Sequence, residues 1–227
     1  MSYLDSRFTN EIKNKITTIF ELGSRDLLDA NKLSQHYKCK VYAFECNPDC
    51  LLECKKNKNE NVILIEKAVS LDDGQITFYP FDLNVYNNMG ASSILKIDFS
   101  MRNKNDPDYN RPNPQKEIIV DSTRLDTFID SIGGILPELI CIDLQGYELQ
   151  ALKSLGDKIK NVKYIITECS IQSTYIGGSS FVELYEYLKL YGFEYKVSNA
   201  FNYSLPNIHL KGYSEFDALF INTFKQL

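Results

Sequence analysis

Acidic residues stand at the ends of several apolar runs in this chain of 227 residues. The clearest case is Asp143, which ends the run from Leu139 and is followed by Gly146 and a helical pattern of apolar residues. A buried parallel strand that ends on a carboxylate has this pattern, and open α/β sheets bind ligands at the carboxyl ends of their strands. Asp143 is therefore a candidate catalytic base, while a helix-capping role for the same carboxylate stays open.

Two further acids end the first two predicted strands. Glu21 is followed by Leu22, Gly23 and Ser24, after which a helix is predicted. A carboxylate, a glycine that lets the backbone approach a ligand and a helix N-terminus together favour a small nucleotide. Glu45 ends the next strand, where an acid accepts the hydroxyl groups of a ribose. The pattern GxGxxG is absent, so the cofactor that fits best has adenosine but no phosphates, as S-adenosylmethionine does.

Glu168 also ends a predicted strand and is expected beside Asp143 if the two strands are neighbours. The two carboxylates could share a divalent metal ion that acidifies a hydroxyl group, or Asp143 could remove the proton by itself. His209 is a second candidate base, in a long aromatic-rich segment between the last two predicted strands. The sequence leaves the metal and the base undecided.

Alternating strands and helices predict the sheet that would position these acids. The expected strands cover residues 16–22, 40–45, 62–69, 75–79, 118–121, 139–143, 162–168, 193–197 and 218–222. The expected helices cover residues 26–37, 48–56, 124–132, 148–155 and 181–191. This alternation is typical of a doubly wound parallel sheet. We predict one domain over residues 1–227, with a helical lead-in at 1–15 and a substrate lid inserted at 82–117.

The composition argues against several classes of protein. Hydrophobic residues make up 44% of the chain, which is enough for a packed core. The net charge of −5 and the pI near 5.2 argue against nucleic acid as a partner. No apolar run spans a membrane, the first residues lack the apolar core of a signal peptide, and the six cysteines form no CxxC pair. We expect a cytoplasmic protein with a small-molecule or glycan partner, and the oligomeric state stays open.

Seven short stretches carry a resemblance to a known family. They are FELGS (20–24), VYAFECNP (41–48), EKAVS followed by DDG (66–74), GASSI (90–94), STRLDTF (122–128), IDLQGYE (142–148) and YIITE (164–168). In this order and spacing they resemble the FkbM family of S-adenosylmethionine-dependent methyltransferases. The first turn of that family usually carries a second glycine, whereas this chain has Leu27 there.

The resemblance implies a Rossmann-like class I methyltransferase fold, with a seven-stranded, mostly parallel sheet, helices on both faces and an antiparallel last strand. It also implies methylation of a hydroxyl group, often on a sugar such as a deoxyhexose or a glycan. Carried over by position, the cofactor-binding residues would be Glu21, Gly23, Ser24, Glu45, Cys46, Lys67, Ala68 and Asp143. Gln145 and Glu148 would face the acceptor. Loops that project over the same edge add the candidate substrate contacts Tyr86, Asn87, Ser92 and Tyr175.

Two hypotheses from other classes stay open at this point. A nicotinamide-dependent oxidoreductase would share the sheet and the ribose-binding acid, but the missing glycine pattern counts against it. A non-catalytic cofactor-binding partner subunit is suggested only by Leu27. Such a subunit has no need of acids clustered at the ligand edge, as Asp143, Glu148 and Glu168 are expected to be.

Overall fold

A computed structural model describes residues 3–85, 89–98, 113–207, 209 and 215–225. The strands are β1 (Thr18–Leu22), β2 (Lys40–Phe44), β3 (Val62–Ile65), β4 (Ala68–Val69), β5 (Gly74–Phe78), β6 (Ile118–Thr123), β7 (Leu139–Ile142), β8 (Tyr164–Ser170), β9 (Phe193–Ser198) and β10 (Glu215–Asn222). The α-helices are α1 (Ser6–Thr9), α2 (Leu28–Tyr37), α3 (Pro48–Asn57), α4 (Leu125–Ser131), α5 (Glu148–Lys153) and α6 (Phe181–Lys189). Short 3-10 helices span Met89–Ala91, Gly156–Asn161 and Thr223–Lys225. Within these described ranges, no helix has the length and apolar character needed to cross a bilayer.

Seven strands form the main sheet in the order β3–β2–β1–β7–β8–β10–β9. Neighbouring strands are parallel, except that β10 runs antiparallel to both β8 and β9. The predicted seven-stranded, mostly parallel sheet with an antiparallel last strand is therefore confirmed. The strand order reverses between β1 and β7, where Glu21 is in register with Cys141 and Leu22 with Ile142. An open α/β sheet has a crevice for a ligand at such a reversal.

The central strand β1 is buried on both faces, as expected for a parallel strand covered by helices. Phe20 and Leu22 point into a large apolar cluster that also contains residues of α4, α5 and α6. Ile19 points the other way, into a second cluster with residues of α1 and α2. Since side chains alternate along a strand, this division follows from the sequence of β1 itself.

Two predicted elements have different bounds in the structure. The strand expected at 62–69 is interrupted by Glu66 and Lys67, whose side chains are exposed, while the Lys67 N–H donates to the Ile65 backbone oxygen in a turn. Its second part is β4, which forms a separate three-stranded sheet with β6 and β5 in the order β4–β6–β5. The lead-in helix contains a single turn, α1, capped by the Asp5 carboxylate. Thr9 and Asn10 end the turn, and both residue types are weak helix formers.

Candidate functional site

A cavity of about 350 Å³ opens at the carboxyl ends of β1, β2 and β7, where the strand order reverses. Small-molecule sites have volumes of roughly 300–1,000 Å³. The predicted site residues that line the cavity are Glu21, Gly23, Ser24, Glu45, Cys46, Lys67, Ala68, Ser92, Asp143 and Gln145. The structure therefore brings the predicted cofactor residues to one place, although their roles stay predictions.

The other predicted residues lie elsewhere. Glu168 and Tyr175 stand behind Gln145, to which both are hydrogen-bonded. His209 is exposed and is not part of the cavity wall. Tyr86 and Asn87 lie outside the described residues, so the lid prediction for 82–117 stays a prediction. The described segment 89–94 of that insertion does line the cavity.

Gly23 brings the turn after β1 against the end of β7. Its φ is +87°, and a Cβ atom at this position would lie 1.9 Å from the backbone oxygen of Asp143. Only glycine permits this approach. Four residues later Leu27, which replaces the usual second glycine, has a φ of 63° and is fully buried. The chain therefore keeps the backbone conformation of a glycine there while a leucine side chain fills the core.

Glu21 is a buried acid with an unsatisfied oxygen. Its residue is 1% exposed, and its Oε2 atom has no hydrogen-bond partner in the described part of the chain. The pKa of Glu21 is raised to about 8, mainly by burial. The charges of Asp29 and Asp26 also raise this pKa, whereas a hydrogen bond from Ser24 lowers it. A buried acceptor without a donor is costly for the fold. Its position in the cavity suits a ligand that brings a cationic donor.

Glu45 is hydrogen-bonded to the backbone around it. One carboxylate oxygen accepts the N–H groups of Cys46 and Asn47, both at 2.7 Å, and the other accepts the Arg25 N–H at 2.8 Å. Burial raises the pKa of Glu45, and these three donors oppose that shift. A carboxylate has about four acceptor positions, so about one remains for a ligand hydroxyl. Glu45 thus holds two turns of the site together besides facing the cavity.

Asp143 and Glu168 share one amide group. Gln145 Nε2 donates to Asp143 Oδ1 at 2.7 Å and to Glu168 Oε2 at 2.8 Å. Burial raises the pKa of Asp143, and burial followed by the charge of Asp143 raises the pKa of Glu168 to about 11. Since two acids this close cannot both ionise easily, Glu168 holds a proton near neutral pH, while the pKa of Asp143 is raised as well.

The described residues offer no third ligand of the usual kind for the divalent metal considered for these two acids. In the part of the chain that the structure describes, no group of three or more His, Cys, Asp or Glu side chains is placed to hold a metal ion. Asp143 and Glu168 are bridged by the Gln145 amide. The six cysteines are all free thiols, of which Cys46 and Cys50 line the cavity.

The loop that carries Gln145 is held from both sides. On one side, Glu148 Oε1, at the start of α5, accepts the N–H groups of Leu144 and Gly146, each at 3.0 Å. The Ser93 hydroxyl lies 3.2 Å and 2.9 Å from the backbone oxygens of Leu144 and Gln145. Glu148 is 3% exposed and does not line the cavity, so the structure gives it a loop-holding role in place of the predicted acceptor contact.

Several residues of the site were missed at the level of sequence. Ser93 contacts the loop, whereas its predicted neighbour Ser92 accepts hydrogen bonds from Asn47 and Phe81. The stretch GASSI indicated this region without distinguishing its two serines. Tyr3, before α1, and Glu215, the first residue of β10, also line the cavity. No local pattern distinguishes such residues, because tertiary packing alone brings them to the site.

Comparisons with known proteins agree with this geometry. The family model for the methyltransferase FkbM domain matches residues 23–195. The 2-O-methyltransferase NoeI of Sinorhizobium fredii is 27% identical over 164 residues, which cover 70% of this chain and 65% of the relative. The hexuronic acid methyltransferase AglP of Haloferax volcanii is 22% identical over 134 residues, which cover 58% of this chain and 47% of the relative. The matched part therefore spans less than two thirds of either relative.

Solved structures are similar in fold. The fibrillarin pre-rRNA processing protein of Methanococcus jannaschii gives a TM-score of 0.50 with 14% identity, covering 92% of this chain and 67% of that one. A chain in the crystal structure of a fibrillarin/Nop5p complex gives a TM-score of 0.50 with 12% identity, and the match covers 97% of this chain and 81% of that one. At such identities the likeness shows the fold alone. The matched methyltransferases support neither the oxidoreductase hypothesis nor the partner-subunit hypothesis.

Proposed function

The chain belongs to the FkbM methyltransferase family, and on that basis we propose that it transfers a methyl group from S-adenosylmethionine to a hydroxyl group of a sugar. The observation that carries this proposal is one cavity that combines the carboxylate of Asp143 with the Glu21 Oε2 atom, which has no partner in the described ranges. The names of the two relatives, a 2-O-methyltransferase and a hexuronic acid methyltransferase, support a sugar as the acceptor.

The residues of the cavity fit the cofactor. Glu21 Oε2 is buried without a partner among the described residues, and an ammonium group such as that of the methionine moiety would satisfy it. Glu45 keeps about one acceptor position for a ribose hydroxyl. When bound, the cofactor supplies an electrophilic methyl group, which the acceptor oxygen takes while the sulfur keeps the electron pair of the broken C–S bond.

Asp143 has the position of a general base. It lines the cavity, and because Glu168 holds its proton with a pKa of about 11, Asp143 is the member of the pair that ionises first and can take the proton that the acceptor hydroxyl loses. Glu168 lies behind Gln145, holds its own proton and therefore adds no second charge to the pair. Gly23 and the loop after Asp143 fix the floor of the cavity, which keeps the base in place.

The charge of the cavity favours an acceptor without a carboxylate. Six acidic side chains and only two basic ones line its described wall, so the wall offers few cationic partners for an acceptor carboxylate. The two bases are Arg25, after β1, and Lys67, after β3, and Arg25 pairs with Asp26 at 3.1 Å. Glu215 stands in the same wall and is pushed toward its neutral form first by burial and then by Asp143. We therefore propose a neutral sugar, such as a deoxyhexose or a neutral residue of a glycan.

Two measurements test the proposal. Calorimetric titration should show binding of S-adenosylmethionine and S-adenosylhomocysteine but not of NADH. Mass spectrometry should show one added methyl group on neutral glycosides and none, or far less, on the matched uronides. Asp143→Asn should keep cofactor affinity and lose about 10²–10⁴-fold in kcat. Binding of NADH alone, or equal turnover by Asp143→Asn, would contradict the proposal.

Glu45 needs a milder substitution than alanine in these experiments. Because its carboxylate accepts three backbone N–H groups, alanine would leave buried donors unpaired and loosen two turns at once. Glu45→Gln keeps the shape and one acceptor oxygen. Glu45→Gln should bind S-adenosylmethionine more weakly and unfold in one cooperative transition at a lower midpoint, because at least one backbone donor loses its acceptor. Unchanged cofactor binding would argue against contact with the ribose.

A further inference from the structure

Tyr175 contacts two separate parts of the site, the loop at 145–146 and Ala91, without lining the cavity. Its hydroxyl lies 2.7 Å from Gln145 Oε1 and 2.9 Å from the backbone oxygen of Ala91. Its ring packs on Gly146, where an added Cβ atom would lie 3.0 Å from the Tyr175 Cβ. The residue is 6% exposed. Tyr175 therefore reaches the reacting groups only through Gln145.

The hydrogen-bond partners of Gln145 determine which way its amide faces. Asp143 and Glu168 both present oxygens to one end of the amide, and only the NH₂ end can donate to them. The amide oxygen is then left facing Tyr175, whose hydroxyl is its donor. If that donor were lost, the amide oxygen would lose its hydrogen bond to Tyr175, and rotation of the side chain would release the two acids.

Both ends of this connection are fixed to the rest of the protein. Gln145 itself has a φ of 54°, an uncommon conformation that Glu148 and Ser93 hold through the loop backbone. The Tyr175 segment pairs with residues 96–98, where the Ile176 N–H donates to the Lys96 oxygen at 2.8 Å. Strained backbone held in this way is common where a site must be rigid.

We propose that Tyr175 is a positioning residue for the methyl transfer: its hydroxyl fixes the Gln145 amide, and that amide holds the Asp143 carboxylate at the cavity. This inference rests on the proposed function, because it assigns Asp143 the proton of the acceptor hydroxyl. It also replaces the direct substrate contact predicted for Tyr175 from sequence. The acceptor proton passes to Asp143, and Tyr175 keeps its own proton throughout.

The test uses Tyr175→Phe, which keeps the ring on Gly146 and removes only the hydroxyl. We expect kcat to fall about tenfold or more while both KM values stay within about twofold, since the base is misplaced and binding is not. The acid limb of the kcat profile should move up by about one pH unit, because Asp143 loses donors that favour its charged form. Gln145→Leu, which removes the amide, should give the same shift.

Tyr195→Phe is the matched control, because its hydroxyl also donates to a backbone oxygen, that of Asn202, and Tyr195 does not line the cavity. It should leave the kcat profile unchanged. The other charged groups around the acid pair stay the same in every variant: Glu148 of α5, Glu215 and Asp217 of β10, Glu45 after β2, and Arg25 after β1.

A second readout does not depend on turnover. The carboxyl carbon of Asp143 can be titrated by NMR in ¹³C-aspartate-labelled protein, with Asp143→Asn for assignment. The first ionisation of the acid pair should move up by about one pH unit in Tyr175→Phe and Gln145→Leu, but not in Tyr195→Phe. An unchanged titration overturns the positioning role, whatever happens to stability. If the wild type methylates no sugar, the proposed function fails and the NMR titration still decides the role of Tyr175.

Discussion

Glu21, whose Oε2 atom has no partner among the described residues, predicts that cofactor affinity depends on pH. Burial sets its pKa at about 8, so at pH 7 only about one molecule in ten carries the ionised form that a cationic ammonium group requires. At pH 6 the ionised fraction is about one in a hundred. We expect the affinity for S-adenosylhomocysteine to fall about tenfold per pH unit below pH 8, which corresponds to about 1.4 kcal/mol per unit.

Calorimetry between about pH 6 and pH 9, in buffers of different ionisation enthalpy, measures both the affinity and the protons released. The wild type should release close to one proton per cofactor at neutral pH, because binding ionises Glu21. Glu21→Gln should bind more weakly at pH 8, with an affinity that changes much less with pH. Titration of the ligand's own amino group appears equally in both proteins. Equal pH slopes for the two proteins would refute the assignment to Glu21, whose charged neighbours Asp26, Asp29 and Glu45 are unchanged.

Protonation of Glu21 should stabilise the folded protein, although it weakens cofactor binding. The pKa of Glu21 in the folded state lies above its usual value of 4.5, so the folded state binds more protons than the unfolded state across this window. Stability contributed by protonated Glu21 is present below about pH 4.5 and is lost as the pH rises toward 8. We therefore expect the stability of Glu21→Gln relative to wild type to increase between pH 4.5 and pH 8. The difference between their free energies of unfolding, measured by urea denaturation, should grow by an amount on the order of 3–5 kcal/mol.

Two substitutions in the first turn test its packing through the free energy of unfolding in urea. Gly23→Ala should cost on the order of 3–5 kcal/mol, because the new Cβ meets the Asp143 backbone oxygen, whereas Gly134→Ala, with the same kind of φ and open space, should cost only about 1 kcal/mol. A similar cost for both would contradict the close approach. Leu27→Gly should be about 1 kcal/mol more stable than Leu27→Ala, since both remove the buried side chain but only glycine relieves the positive φ. The usual order, with alanine more stable, would show that Leu27 is not strained.

The main sheet could be predicted because its signals are local. The apolar run before Asp143 forms the buried strand β7, and the helix predicted at 48–56 begins at Pro48 as α3, with the Asn47 side chain as its cap. The order and direction of the strands needed the family resemblance, since nothing local to β10 sets it antiparallel between β8 and β9. The second sheet was missed because β4 has only two residues, Ala68 and Val69, too few for a periodic pattern.

The sequence predicted which acids belong to the site but not the hydrogen bonds that connect them. Because of their residue type and their positions at strand ends, Glu21, Glu45 and Asp143 were predicted to lie together, and all three line one cavity. The partner of each acid depends on contacts across long stretches of chain, such as the one between Tyr175 and Gln145, 30 residues apart. Side-chain orientation at that distance leaves no pattern in the sequence, so the direct contacts predicted for Tyr175 and Glu148 could not be distinguished from supporting roles.

The arrangement of the acids gives each a different task through its hydrogen-bond donors. Glu45 has three backbone donors, Asp143 has a shared amide, and Glu21 Oε2 has none among the described residues. A carboxylate that lacks donors gains most from a ligand that supplies one, so the least satisfied acid is the one whose free energy depends most on binding. Removing the charge of Glu21 should thus weaken binding and strengthen the fold above neutral pH. The same change at Glu45 should weaken both, because its donors belong to the backbone and would lose their acceptor.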